Sequence, residues 1–346
     1  MVTIGVGTEK GAFFLRPEGA SFAMEGPVQP GWRVTTFGRA PGGDYLLAAA
    51  SGWFGAAIHR SPDLVSWEQV VHGPAWPEGS DRKLNSVWTI AGVGSVLYAG
   101  VDEAGLFRSD DDGTTWTGVE SFNEHRTRPA WQPGAGGLAA HRILADPADL
   151  ARMWVGVSAV GVFRSDDAGA TWVPRNAGVE PAAPDEEIPE IGYCVHRIVA
   201  DPGDADRIWR QDHRGVYRTD DGGDHWERIE KGLPAGFGFP IVHDAISGAL
   251  FVVPQESDEH RMPVNGEFRV FRSTDGGDSW HPSGSGHPEG LMYAGVLRDA
   301  MDTDGAGGVY LGTTAGTVHF TRDGGDTWRA LPDVLPRINS VVVLDA

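Results

Sequence analysis

Three consecutive aspartates stand in RSDDDGTTW, residues 108–116. Carboxylates this close can hold a divalent cation or divide acid and base roles between them. An EF-hand-type calcium loop, however, needs further spaced oxygen ligands and a distal glutamate, and neither follows here. A second group of candidates is basic. HRILADP at 141–147 and HRIVADP at 196–202 superpose directly, and LRDAMD at 297–302 aligns when Asp302 matches Asp201. Arg142, Arg197 and Arg298 then share one level in three repeats, with His141 and His196 preceding two of them. Arginine recognises carboxylate or phosphate through two parallel hydrogen bonds. Histidine exchanges protons near neutral pH. Gln211, Asp212 and His213 end the strand beside His196. The reading is a pocket in which His213 and His196 are the catalytic candidates. Arg197, Arg142, Arg298, Asp299, His141 and Tyr193 are the ligand-binding candidates. The competing structural role for each arginine is a salt bridge between repeats, to acids such as Glu190 or Asp299.

Cys194 lies two residues before His196, and positions two apart share a strand face. That spacing suits a thiol–imidazole pair, but the expectation for a cysteine in a strand is burial in the core. No metal is expected. His243 falls one turn further along its strand than His141 and His196, so an axial ring of histidine ligands is incomplete. No cofactor is expected either. A glycosidase needs two carboxylates across a cleft; Asp102, Glu103, Glu190 and Asp299 are eligible, but nothing in the sequence pairs them.

These residues sit on a repeating unit. The aspartate stretch recurs as SDDAGATW at 165–172, TDDGGDHW at 219–226, STDGGDSW at 273–280 and TRDGGDTW at 321–328, with a shortened SPDLVSW at 61–67. The closing tryptophans are spaced by 49, 56, 54, 54 and 48 residues. A period near fifty marks an array of one supersecondary unit. Each unit reads as four short apolar runs separated by turn residues, which is the pattern of a propeller blade. The six copies alone give six blades. The N-terminal TIGVGTEKGAFFLRP, read as two strands, and the C-terminal RINSVVVL, read as one, supply a seventh. The expectation is an all-β, seven-bladed propeller of four-stranded antiparallel blades in one domain, 1–346, closed by the C-terminal strand.

The repeats resemble Asp-box (BNR) repeats, S-x-D-x-G-x-T-W, of sialidase, xyloglucanase and sortilin type propellers. The resemblance implies that the box is a structural turn between the third and fourth strands, built on Asp111, Asp167, Asp221, Asp275 and Asp323. It implies that Trp116, Trp172, Trp226, Trp280 and Trp328 pack between sheets. The arginine-isoleucine-proline motif of sialidases is missing; FFLRP at 13–17 is not it. Antiparallel order puts the boxes on one face and the long irregular segments on the other, where sites usually sit.

Composition narrows the partners. The chain has 346 residues, 49 glycines, one cysteine and a formal net charge of −20. So acidic a protein is repelled by nucleic acid and by anionic membranes, and one cysteine permits no internal disulfide. No leader or membrane-length apolar run is visible, and the expected location is the cytoplasm. The expected function is binding of a small anionic or carbohydrate-like ligand at the loop-rich face, as a hydrolase or lyase directed at glycosides. The alternative is a non-catalytic scaffold that docks a protein through the same face.

Overall fold

The computed structural model describes residues 2–181 and 189–345. Seven four-stranded antiparallel sheets follow one another around a ring. Six of them are built in chain order. The seventh joins Ile338–Asp345 to Thr3–Thr8, Gly11–Glu18 and Ser21–Val28. Its innermost pairing, Val341 opposite Val6 and Val343 opposite Ile4, ties the two ends of the chain together. The N-terminal segment thus gives three strands, where the sequence suggested two. SFAMEGPV alternates too weakly to be read as a strand and is held by pairing with Gly11–Glu18. The innermost strands of successive sheets pack against one another around the axis, Arg33–Arg39 against Ser86–Val93 and so on to Ile338–Asp345. Helix is confined to single turns such as Glu120–Asn123, and no described helix is long and apolar enough to cross a membrane.

The aspartate turns show why the repeat has its composition. Ser109 Oγ donates to Asp111 Oδ1 at 2.8 Å and accepts the Gly113 N–H at 2.8 Å. Asp111 also accepts the Thr115 N–H at 2.8 Å and the Thr115 hydroxyl at 2.6 Å. The backbone bond recurs around Asp167, Asp221, Asp275 and Asp323, and the hydroxyl bond around Asp167 and Asp275. Gly113 takes φ 85°, a left-handed value that favours glycine. Each turn also bonds to its neighbour. Arg164 reaches Asp224 at 3.2 Å, Arg218 reaches Asp278 at 2.8 Å and Arg272 reaches Asp326 at 2.8 Å. Trp226 Nε1 donates to Arg175 O at 2.9 Å and Trp280 Nε1 to Ile229 O at 2.8 Å. These carboxylates have spent their hydrogen-bonding capacity on their own backbone and on adjacent blades.

Candidate functional site

At the opposite face the elements end in a cavity of about 220 Å³. One pairing register creates it. Val195 lies opposite Asp212 in the two inner strands of their sheet, Val195–Asp201 and Asp204–Asp212. The next residues outward, Cys194 and His213, therefore face each other, and the His213 N–H donates to the Cys194 carbonyl at 3.0 Å. The register shifts between Val195 and Arg197, and His196, in that bulge, comes to the side of Cys194. The ligating atoms of Cys194, His196 and His213 all lie within 4.8 Å of one another.

Each histidine is oriented from behind. His196 Nδ1 donates to Gly238 O at 2.5 Å, which leaves Nε2 as the ring nitrogen without a proton. His213 Nε2 lies 3.0 Å from Asp258 Oδ2, which leaves its Nδ1 for another partner. Phe237 and Phe239 pack on the His196 ring with centroids 5.4 and 4.6 Å away. Gly134, Ala135, Gly136 and Ala159 line the far wall, with Arg261 and Arg298. Arg298 is 8% exposed, and its Nη2 donates to Ser158 at 3.2 Å while its Nε has no partner. Its guanidinium lies against Gly136 so closely that a Cβ there would meet Nη2 at 2.9 Å. A side chain there would push the guanidinium aside.

The electrostatics follow from these contacts. Burial pushes the Cys194 thiol up, but His213, the Arg298 charge and the Ala159 N–H outweigh it and hold it below its ordinary value. His213 is raised, by its hydrogen bond with Cys194 and by the charges of Cys194 and Asp258, against the effect of burial. His196 is held well below its ordinary value by burial and by Arg298.

Arg298 also borders a second cavity of about 420 Å³, lined further by Arg33, Arg261, Arg337, Trp88, Asp299 and Glu9. Trp88 Nε1 donates to Asp299 Oδ2 at 2.8 Å, and Arg197 reaches Asp299 Oδ1 at 3.4 Å. In a chain of net charge −20, four arginines and two carboxylates make this cavity a positive island.

The structure brings His196, His213, Tyr193 and Arg298 to one cavity and Asp299 to the adjoining one. It does not bring Arg142, Arg197 or His141 there. Arg197 is turned to the other side of its strand, donates to Arg298 O at 2.7 Å and, with Arg142, lines a separate hollow with Pro147 and Pro202 toward the aspartate-turn end. Burial and Arg197 hold Arg142 down at about 10. His141 is buried and its Nε2 bonds Val195 O at 2.9 Å, bridging two sheets. His243 stacks on Trp209, away from both cavities. Glu190 pairs with Arg126 at the surface. Sequence reasoning did not single out Asp258, Arg261, Phe239, Ala159 or Gly136 for the site, because they come from more than one blade and only folding brings them together. It set Cys194 aside as core; the available signal was the register that pairs Cys194 with His213.

No protein-family model matches the chain. A xyloglucanase of Paenibacillus sp. is 24% identical over 95% of the chain, which spans only 35% of that relative's length. Among solved structures, YCF48 bound to D1 peptide superposes with TM-score 0.55 at 13% identity, over 96% of this chain and 85% of that one. YCF48 from Cyanidioschyzon merolae gives 0.55 at 12% identity, over 89% and 88%. An ancestral GH74 enzyme gives 0.53 at 15% identity, over 90% of this chain and 38% of that one. At such identities the likeness is one of fold.

Proposed function

We propose that the protein binds a small anionic ligand, a carboxylate or acidic saccharide, where the mouth cavity meets the axial cavity at Arg298. One observation carries this reading. A strongly acidic chain concentrates Arg33, Arg261, Arg298 and Arg337 around one cavity, and keeps the buried Arg298 with an unpaired Nε. A buried cation without a full set of partners is costly unless a ligand supplies them. The distant xyloglucanase and GH74 similarities favour a saccharide, and the repeats fit the Asp-box type. A free thiol open to a cavity is best kept reduced in the cytoplasm, where we place the protein.

Isothermal titration with citrate, an oligogalacturonate and a neutral xyloglucan oligosaccharide tests this. The acidic compounds bind and Arg298→Met abolishes that binding. Binding of the neutral oligosaccharide alone, undiminished in Arg298→Met, contradicts it. A second reading, docking of a peptide, is favoured by Trp53 and Phe54. They are 91% and 78% exposed on a turn of the same face, as in aromatic-rich docking surfaces. Trp53→Ala separates the two, since it leaves anion binding intact.

A further inference from the structure

We propose that Cys194 is a nucleophile that attacks the acyl carbon of a small carboxylate-bearing ester or thioester, with His213 moving the proton and Asp258 orienting His213. The choice of an anionic substrate rests on the reading above; the reactivity of the thiol does not.

Three features set Cys194 apart from a core thiol. It borders an open cavity together with two histidines whose ring nitrogens and its own sulfur lie within 4.8 Å of one another. His213 is fixed by Asp258 at 3.0 Å through Nε2, so Nδ1 is the nitrogen available to the sulfur. This is the nucleophile–base–orienter order of a catalytic triad. Finally, the sulfur shares its cavity with His213 and the buried Arg298, whose nearness favours a thiolate over a thiol. A metal ion held by the same three side chains would sit beside the buried Arg298 charge, which opposes a cation. His196, neutral and tied to Gly238, is a wall of the cavity and positions the His213 ring at a centroid distance of 5.8 Å.

The step balances as acyl transfer. The thiolate forms a carbon–sulfur bond, and the carbonyl carbon becomes tetrahedral. Its collapse breaks the bond to the leaving oxygen or sulfur, which departs with the proton of His213. Water then attacks the thioester and gives a proton to His213. The product leaves as the carboxylic acid and gives its proton to solvent, and the thiolate–imidazolium pair is restored.

Cys194 is the one cysteine of the chain, so alkylation reports on it alone. The test measures rates with neutral iodoacetamide and anionic iodoacetate from pH 5 to 10, on the full chain. The rate is expected to level off well below the ordinary thiol value of ~8.5. It should exceed that of the unfolded chain at least tenfold at pH 6, and favour iodoacetate. His213→Asn should move the inflection up, and Asp258→Asn should move it less. His213→Gln serves if the first variant is unstable. p-Nitrophenyl succinate should leave an acyl mass on the parent protein and none on Cys194→Ser. An inflection at or above the ordinary value, or protection by equimolar Zn²⁺ with a thiolate charge-transfer band from Co²⁺, overturns the proposal, the latter in favour of a metal site. Fast alkylation without acylation by the succinate ester overturns the acyl chemistry. Equal rates with both alkylating agents, from a fast thiol, overturn the anionic ligand and leave the nucleophile standing.

Discussion

The two faces of the ring treat their ionisable groups in opposite ways. On the aspartate-turn face the carboxylates are many and mostly exposed, and each turn is closed by its own backbone N–H groups. On the other face several ionisable groups are buried at cavities and keep unspent valence. Arg298 Nε lacks a partner, and Cys194 meets two histidines at a cavity. Density of acidic residues is therefore a poor guide to chemistry in this fold. The informative property is left-over capacity that several side chains bring to one cavity.

The contrast can be broken in several ways. The largest effect concerns the ring that holds both faces. Deleting residues 337–346 removes the strand Ile338–Asp345 and leaves the edge of Thr3–Thr8 unpaired. The protein should aggregate or melt far earlier, as measured by scattering and calorimetry. A deletion variant as stable as the parent would show that the ring is not held by this closure. Next comes Asp221→Ala, which strips the turn of its acceptor. It should cost about 1–3 kcal/mol in urea unfolding and leave the affinity for citrate unchanged. A loss of binding at full stability would move the site to the aspartate-turn face.

The smallest effect is on pH. Hydrogen bonds from Thr115 and Ser109 hold Asp111 at about 2, and those from Ser279 and Ser273 hold Asp275 at about 2. Both folded values lie below the unfolded ~3.9. Their stabilisation is therefore complete above ~3.9 and is lost as pH falls toward 2. Asp275→Asn should flatten the urea midpoint against pH in that window. An unchanged slope would mean that the turn does not favour the ionised form.

The fold was largely legible because one turn is written five times in full. S/T-x-D-x-G with a tryptophan three residues on needs no tertiary information to be recognised as a repeat, and antiparallel order then fixes the faces. Ser21–Val28 escaped because its alternation is poor and partner strand Gly11–Glu18 supplies its order. The candidate site was half legible. His213, His196, Tyr193 and Arg298 lie on repeat elements whose level can be counted. Arg142 and Arg197 were counted to the same level, yet their side chains point to other surroundings, since alternation decides the side of the strand. Arg261 and Asp258 come from a long irregular segment that obeys no period, and Phe239 from the start of the strand Gly238–Asp244. Cys194 was discounted because a strand cysteine is ordinarily inert, and only its pairing partner distinguishes it.

The central claim is that the working face is the one where arginines gather at a cavity, around the buried Arg298. Thermal unfolding with rising citrate tests it in the parent, in Arg298→Met and in Asp221→Ala. At a hundred times the dissociation constant, a ligand of the folded state adds about 2.7 kcal/mol. The parent and Asp221→Ala should gain that increment equally, each from its own baseline, and Arg298→Met should gain almost none. An undiminished increment in Arg298→Met, or its loss in Asp221→Ala, would contradict the account.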